Sequence, residues 1–190
     1  MNNNALLIVD PQVDFITGTM PIPGAEKAMN HLGAFMLAYG NMYKWVIVTA
    51  DHHPFNHCSF KEYGGKWPRH CVHDSIGAAV WQPVMDSLYD TPGEVIFLYK
   101  GMNPRTEEYS IFKNDISAAH LASLIHEKKI ERIDVCGLSG DVCVADTLTD
   151  GIAIYGAGMF AVLPEYTASL DGGMRLNDII LKNNLPCVSY

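Results

Sequence analysis

The stretch Arg132-Ile133-Asp134-Val135-Cys136-Gly137-Leu138-Ser139-Gly140-Asp141-Val142-Cys143-Val144-Ala145 decides the fold. Its first five residues form a short, largely apolar run, of the kind found in strands buried on both faces. A glycine-bearing turn follows, and a helical-period segment then runs over 142–155. Strand, tight turn and helix make the repeating unit of a parallel α/β sheet. The same junction carries a chemical signal, because Cys143 falls at the start of the helix. A helix N-terminus offers unpaired N–H groups and the positive end of a dipole. Both favour a thiolate, and the same N–H groups can hold an oxyanion after attack on a carbonyl.

Working outward, residues 5–9, 45–49, 95–99, 159–163 and 187–189 read as further strands. Helical patterns lie between them at 25–39, 79–89, 115–128 and 173–183. The alternation predicts right-handed crossovers and a three-layer α/β/α fold, Rossmann-like, around a six-stranded, mainly parallel sheet. Two segments break the rhythm, 51–78 and 101–113, both rich in Pro, Gly and aromatics. Loops this long in a compact domain are usually functional. Each follows a strand directly, and ligands of open α/β sheets sit at the carboxyl ends of strands. The two loops are therefore expected to meet over one crevice.

Composition narrows the function. The 190 residues suit one domain, read as 1–190, with no repeat or linker to divide it. A net charge of −8 without a basic cluster argues against nucleic acid or an anionic membrane as partner. There is no apolar run long enough to span a bilayer, and Met1-Asn2-Asn3-Asn4 lacks the features of a secretory signal. Five scattered cysteines make a poor disulfide framework and fit reduced thiols in a cytoplasm. Cys136 and Cys187 read as core residues.

The strand ends carry the chemistry. Asp10 follows the first, Asp51 and His53 the second, Lys100 the third, and the Cys143 junction the fourth. Taken singly, such residues are ordinary caps, solvated lysines or small core thiols. Their joint placement shifts the balance. Asp10 is the candidate base for Cys143, since the first and fourth strands of a doubly wound sheet lie side by side at its switch point. Lys100 supplies positive charge to both. Asp51 and His53 with His70 form a candidate metal set of two imidazoles and a carboxylate, and His52, His57 and His73 are alternatives. Phe15, Trp67, Tyr109 and Phe112 are candidates to wall a flat ring, or simply to cover the core.

These residues resemble the nicotinamidase/pyrazinamidase branch of the isochorismatase-like cysteine hydrolases. The resemblance runs through Asp10-Pro11-Gln12-Val13-Asp14-Phe15, Thr49-Ala50-Asp51-His52-His53-Pro54, Trp67-Pro68-Arg69-His70-Cys71-Val72, Lys100-Gly101, Tyr109-Ser110-Ile111-Phe112 and Gly137 to Val144. It implies an isochorismatase-like fold and hydrolysis of nicotinamide, a small-molecule substrate, in recycling of pyridine nucleotides. It also implies an Asp10–Lys100–Cys143 triad and an oxyanion hole from the N–H groups of Ser139 and Cys143 after a cis Leu138–Ser139 bond. Phe15 and Trp67 would flank the ring. Asp51, His53 and His70 would bind one divalent metal, zinc first, with iron and manganese also suited. Relatives often self-associate, so a homo-oligomer stays open. Val13 stands where Asn is common and His52 where Trp is common, which bears on substrate preference. Two rivals remain: a hydrolase of the same scaffold acting on another small amide or a vinyl ether, and a non-catalytic metal or thiol sensor.

Overall fold

Along β1 (Asn4–Val9) successive side chains enter opposite cores: Leu6 and Ile8 on one face, Ala5, Leu7 and Val9 on the other. All five are fully buried, which is why the strand shows no polar alternation. The computed structural model describes residues 3–189. β1 lies at the centre of a five-stranded sheet with β2 (Trp45–Asp51), β3 (Glu94–Lys100), β4 (Arg132–Gly137) and β5 (Phe160–Thr167), in the order β3-β2-β1-β4-β5. Every pairing is parallel.

α1 (Ala25–Tyr39) and α2 (Gln82–Asp90) cover one face of the sheet. α3 (Asp115–Glu127), α4 (Cys143–Tyr155) and α5 (Met174–Asn183) cover the other. The chain thus winds outward from β1 in both directions, and the switch point falls between β1 and β4. Met29, Leu32, Val84 and Leu88 fill the first interface, and Leu121, Val144, Leu148 and Leu176 the second. Each such burial contributes about 1.5–3 kcal/mol. Asn114 caps α3 by accepting the Ser117 N–H at 3.0 Å, and Gly156 at φ 83° ends α4. Among the described residues no helix is long and apolar enough to cross a membrane.

Two expectations are corrected. The sixth strand at 187–189 is a single parallel bridge, Cys187 to Val162. Val162 N–H donates to Pro186 O (2.9 Å) and Val188 N–H to Val162 O (2.8 Å). The next β5 nitrogen facing that edge belongs to Pro164, which has no hydrogen to give, so the ladder stops. Cys187 is accordingly exposed rather than in the core. The helix expected over 79–89 begins at Gln82, because 79–81 is occupied elsewhere: Val13 N–H donates to Ala79 O, and Trp81 N–H to Pro11 O. That clamp holds the segment following β1 against the sheet.

Candidate active site

Four strand ends deliver their polar residues to one spot. Asp10, just beyond β1, adopts a left-handed φ of 47°, turning its side chain back over the sheet. Thr49 of β2 fixes it: the Asp10 N–H donates to Thr49 O at 3.1 Å, and Thr49 Oγ1 donates to Asp10 Oδ1 at 2.7 Å. Lys100, fully buried at the end of β3, places Nζ 2.8 Å from Asp10 Oδ2, 2.5 Å from Asp51 Oδ1 and 3.6 Å from Cys143 Sγ. Asp10 Oδ2 is thus buried against the Lys100 ammonium, with the Cys143 thiol also in hydrogen-bond contact with the Asp10 carboxyl. An ionised side chain is costly to bury, and one cation between two carboxylates offsets that cost only because all three are in contact.

The electrostatics differ from the sequence expectation at Cys143. Burial pushes its thiol well above the usual range, Asp10 and Asp51 push it the same way, and Lys100 opposes them without prevailing. The helix N-terminus is therefore outweighed, and the resting group is a thiol. Asp10 is also raised, by burial first and by Asp51, against the pull of Lys100. Burial works on Asp51 in the same sense, but Lys100, His53 and His70 hold its carboxyl far below the ordinary range. Burial alone would lower Lys100, yet Asp10 and Asp51 hold it protonated, well above its usual value.

Asp51, His53 and His70 bring three donor atoms within 4.8 Å of one another. His53 Nδ1 lies 3.0 Å from Gly101 O, and His70 Nδ1 lies 2.7 Å from Pro68 O. A carbonyl can only accept, so both Nδ1 atoms carry a proton, and the Nε2 atoms are the ones left to meet Asp51 or an ion. His53 Nε2 stands 3.6 Å from Asp51 Oδ2, about the span of two donors each ~2.1 Å from a shared ion. Two imidazoles and a carboxylate held in its ionised form fit a divalent metal, and backbone carbonyls behind the imidazoles are the usual support of such ligands.

Between Cys143 and this group lies a narrow crevice of about 20 Å³, lined by Phe15, Met20, Trp67, His70, Glu107, Tyr109, Ser139, Cys143 and Leu170 among others. Trp67 Nε1–H donates to Tyr109 Oη at 3.0 Å, joining the two long loops across the opening as expected. Phe112 is not in this wall; it packs on Tyr155 and the second core. Val13 and His52 do not line the crevice either, and His52 instead stacks on His73, 5.6 Å between rings. The Leu138–Ser139 bond is cis. Among the described residues, neither the Ser139 nor the Cys143 N–H donates to a protein acceptor.

Several supporting residues escaped the sequence reading. Buried Gln12 donates Nε2–H to Asp51 O (2.8 Å) and Ala78 O (2.9 Å), and its Oε1 accepts the Asp51 N–H (2.8 Å). Asp14 accepts the N–H groups of Cys71 (2.7 Å) and Thr19 (3.0 Å), anchoring the loop that carries His70. Glu108 Oε2 accepts from Gly101 N–H (2.7 Å) and Asn114 Nδ2 (3.0 Å). Gly101 itself needs its left-handed φ of 68°, and a Cβ there would meet His53 Cε1 at 2.4 Å. His57 is fully buried with its ring 4.0 Å from that of His53, and both its nitrogens are engaged, by Thr106 O and Ser59 N–H. It backs the metal group rather than joining it. Polar residues inside otherwise apolar loop segments were the signal available for Gln12 and Asp14; nothing local distinguishes Glu108 from Glu107.

With a reduced cysteine, an aspartate and a lysine meeting at the switch point of a parallel sheet, the architecture is that of a cysteine-hydrolase-like α/β protein. Residues 4–162 match the Isochorismatase domain, and the chain belongs to that family, on its nicotinamidase/pyrazinamidase branch. It is 32% identical over 153 residues to the nicotinamidase/pyrazinamidase of Mycobacterium tuberculosis, covering 78% of each chain. Its structure is similar to that of the pyrazinamidase of Pyrococcus horikoshii in complex with zinc, with a TM-score of 0.83 and 26% identity over 99% of both chains. It is likewise similar to PnC1 from L. infantum in complex with nicotinate, with a TM-score of 0.82 and 28% identity over 98% of this chain and 92% of that one.

Proposed function

We propose that the protein hydrolyses nicotinamide to nicotinate and ammonia, with Cys143 as nucleophile. One observation carries this reading. The Cys143 thiol, which contacts both Lys100 Nζ (3.6 Å) and the Asp10 carboxyl, opens on a narrow aromatic crevice that His70 and Asp51 also line. The names of the M. tuberculosis and P. horikoshii relatives and the nicotinate complex of the L. infantum protein support the substrate class. The whole of 1–190 acts as one domain in this reading, since α5, beyond the matched region, packs into the same core as α4.

Phe15 and Trp67 flank the ring, while the walls exclude bulk water. Asp10 takes the thiol proton; its raised pKa makes it a stronger base than an ordinary carboxylate. Lys100 holds the developing negative charge on sulfur as the proton leaves. The sulfur attacks the amide carbon, and the resulting oxyanion is held by the Ser139 and Cys143 N–H groups, which among the described residues donate to no protein acceptor. Asp10 returns the proton to nitrogen, the C–N bond breaks, and ammonia departs from a thioester. Water, deprotonated by Asp10, then attacks the thioester carbon; the C–S bond breaks, the thiol is restored and nicotinate leaves.

Asp51, His53 and His70 would hold a divalent ion, zinc first by the donor set, with iron and manganese also suited. When bound, such an ion supplies a Lewis-acidic point that can take the ring nitrogen and orient the carboxamide. The test is ammonia release from nicotinamide by metal-loaded protein, with Cys143→Ala as control. Release by the wild type alone is expected. A well-folded, metal-loaded wild type that releases none from nicotinamide but does from another small amide would replace the substrate; a variant that keeps full turnover would remove the nucleophile.

A further inference from the structure

Glu107 stands at the mouth of the crevice and also lines an outer groove with Lys113, Asp146 and Asp150. The two other acids there are paired: Asp146 Oδ1 lies 2.5 Å from Arg175 Nη2, and Asp150 Oδ1 lies 3.3 Å from Lys113 Nζ. Among the described residues, Glu107 has no such counter-ion. Behind the crevice, Lys100 is already claimed by two carboxylates. Glu107 therefore places a negative charge without a cationic partner, among the described residues, at the rim of the crevice. The wall residue beside Glu107 feels it: burial raises the Tyr109 phenol, Trp67 opposes that, and the Glu107 charge adds to the rise.

The hydrolysis proposed above turns a neutral carboxamide into a carboxylate inside this crevice, and the inference rests on that reading. We infer that Glu107 is a specificity-determining residue: its carboxylate, hydrogen-bonded to the Tyr109 phenol but with no cationic partner among the described residues, sets the crevice against anionic ligands, favours neutral amides over the corresponding acids and hastens loss of the acid product. The opposing role, in which Glu107 only orders Tyr109, is separable, because a glutamine keeps an acceptor for the phenol and removes only the charge.

The experiment compares metal-loaded Cys143→Ala protein with the same protein carrying Glu107→Gln. Affinities for nicotinamide and nicotinate are measured by calorimetry at neutral pH, at low and at high salt. The ratio of amide to acid affinity is expected to fall about threefold to fivefold with Glu107→Gln at low salt, and the difference to shrink at high salt, as for two screened charges. Glu107→Lys moves the ratio further the same way. An unchanged ratio, or both affinities moving together, overturns the inference and leaves Glu107 a support for Tyr109. If wild type releases no ammonia and neither ligand binds the Cys143→Ala protein, the nicotinamidase reading itself falls and takes this one with it.

Discussion

The end of β1 and the end of β2 each present a fully enclosed aspartate to the same lysine, and the two carboxylates behave in opposite ways. Asp10 is raised above the ordinary range and Asp51 is held far below it. Burial acts on both alike. The difference lies in the remaining neighbours. Asp51 faces two imidazoles as well as Lys100. Asp10 has Lys100 and the Thr49 hydroxyl, and it feels the negative charge of Asp51. One residue type at two adjacent strand ends thus gives a group able to carry a proton and a group stripped for a cation. The roles come from the surroundings, not from the side chain.

The contrast breaks or holds first on activity. Asp10→Asn should lower kcat by about 10²–10⁴-fold with metal content per chain retained, whereas Asp51→Asn should lose the metal itself. Elemental analysis alongside ammonia release checks both, and a metal-free Asp10→Asn protein would erase the distinction. Next comes the shared cation. Lys100→Met strands two buried carboxylates and should cost about 3–5 kcal/mol in urea unfolding at neutral pH. The sign with pH follows from the shifts. Lys100, raised, contributes below its unfolded pKa. Asp51, depressed, contributes above about pH 4 and loses that contribution as pH falls. The loss in Lys100→Met should therefore shrink on acidification, as protonation removes the stranded charges; a pH-independent loss would mean packing alone.

A smaller effect tests the β2 side from behind. Glu108→Ala frees the Gly101 N–H, and with it the carbonyl that fixes His53, so metal affinity should drop about 10–100-fold in a competition titration. Unchanged affinity would show that His53 is held without this support. The smallest concerns the crevice wall. Tyr109→Phe removes the acceptor of the Trp67 N–H and should raise KM by a factor on the order of five, the worth of about 1 kcal/mol. A shift in Trp67 fluorescence reports the same loss.

Much of this was legible in the sequence because it was periodic or punctual. Strand and helix patterns around β1, β2 and α1 matched the structure nearly residue for residue, since burial on both faces leaves uninterrupted apolar runs. Candidate site residues could be picked at the strand ends because topology brings those ends together whatever the loops do. What stayed hidden depended on long-range pairing. The failure of residues 187–189 to form a strand turns on Pro164, more than twenty positions away, lacking one hydrogen. The pull on the Cys143 thiol was only half legible, because a helix N-terminus is a local feature, while the burial and the two carboxylates that raise the thiol are assembled from distant segments. Gln12 and Glu108 act through backbone atoms of other loops, which no spacing rule reveals.

Gly101 draws the two halves together. Lys100, its neighbour in the chain, serves the nucleophile side; its own carbonyl fixes His53, and its N–H is held by Glu108. Because a single Cβ at this position collides with the imidazole, the position is closed to every other amino acid, alanine included. For a directed-evolution library this means that the acid–base chemistry and the metal preference cannot be retuned by changes at this joint. Diversity has to enter from the far ends of the loops, around Trp67 and Tyr109, where variation leaves the common mount untouched.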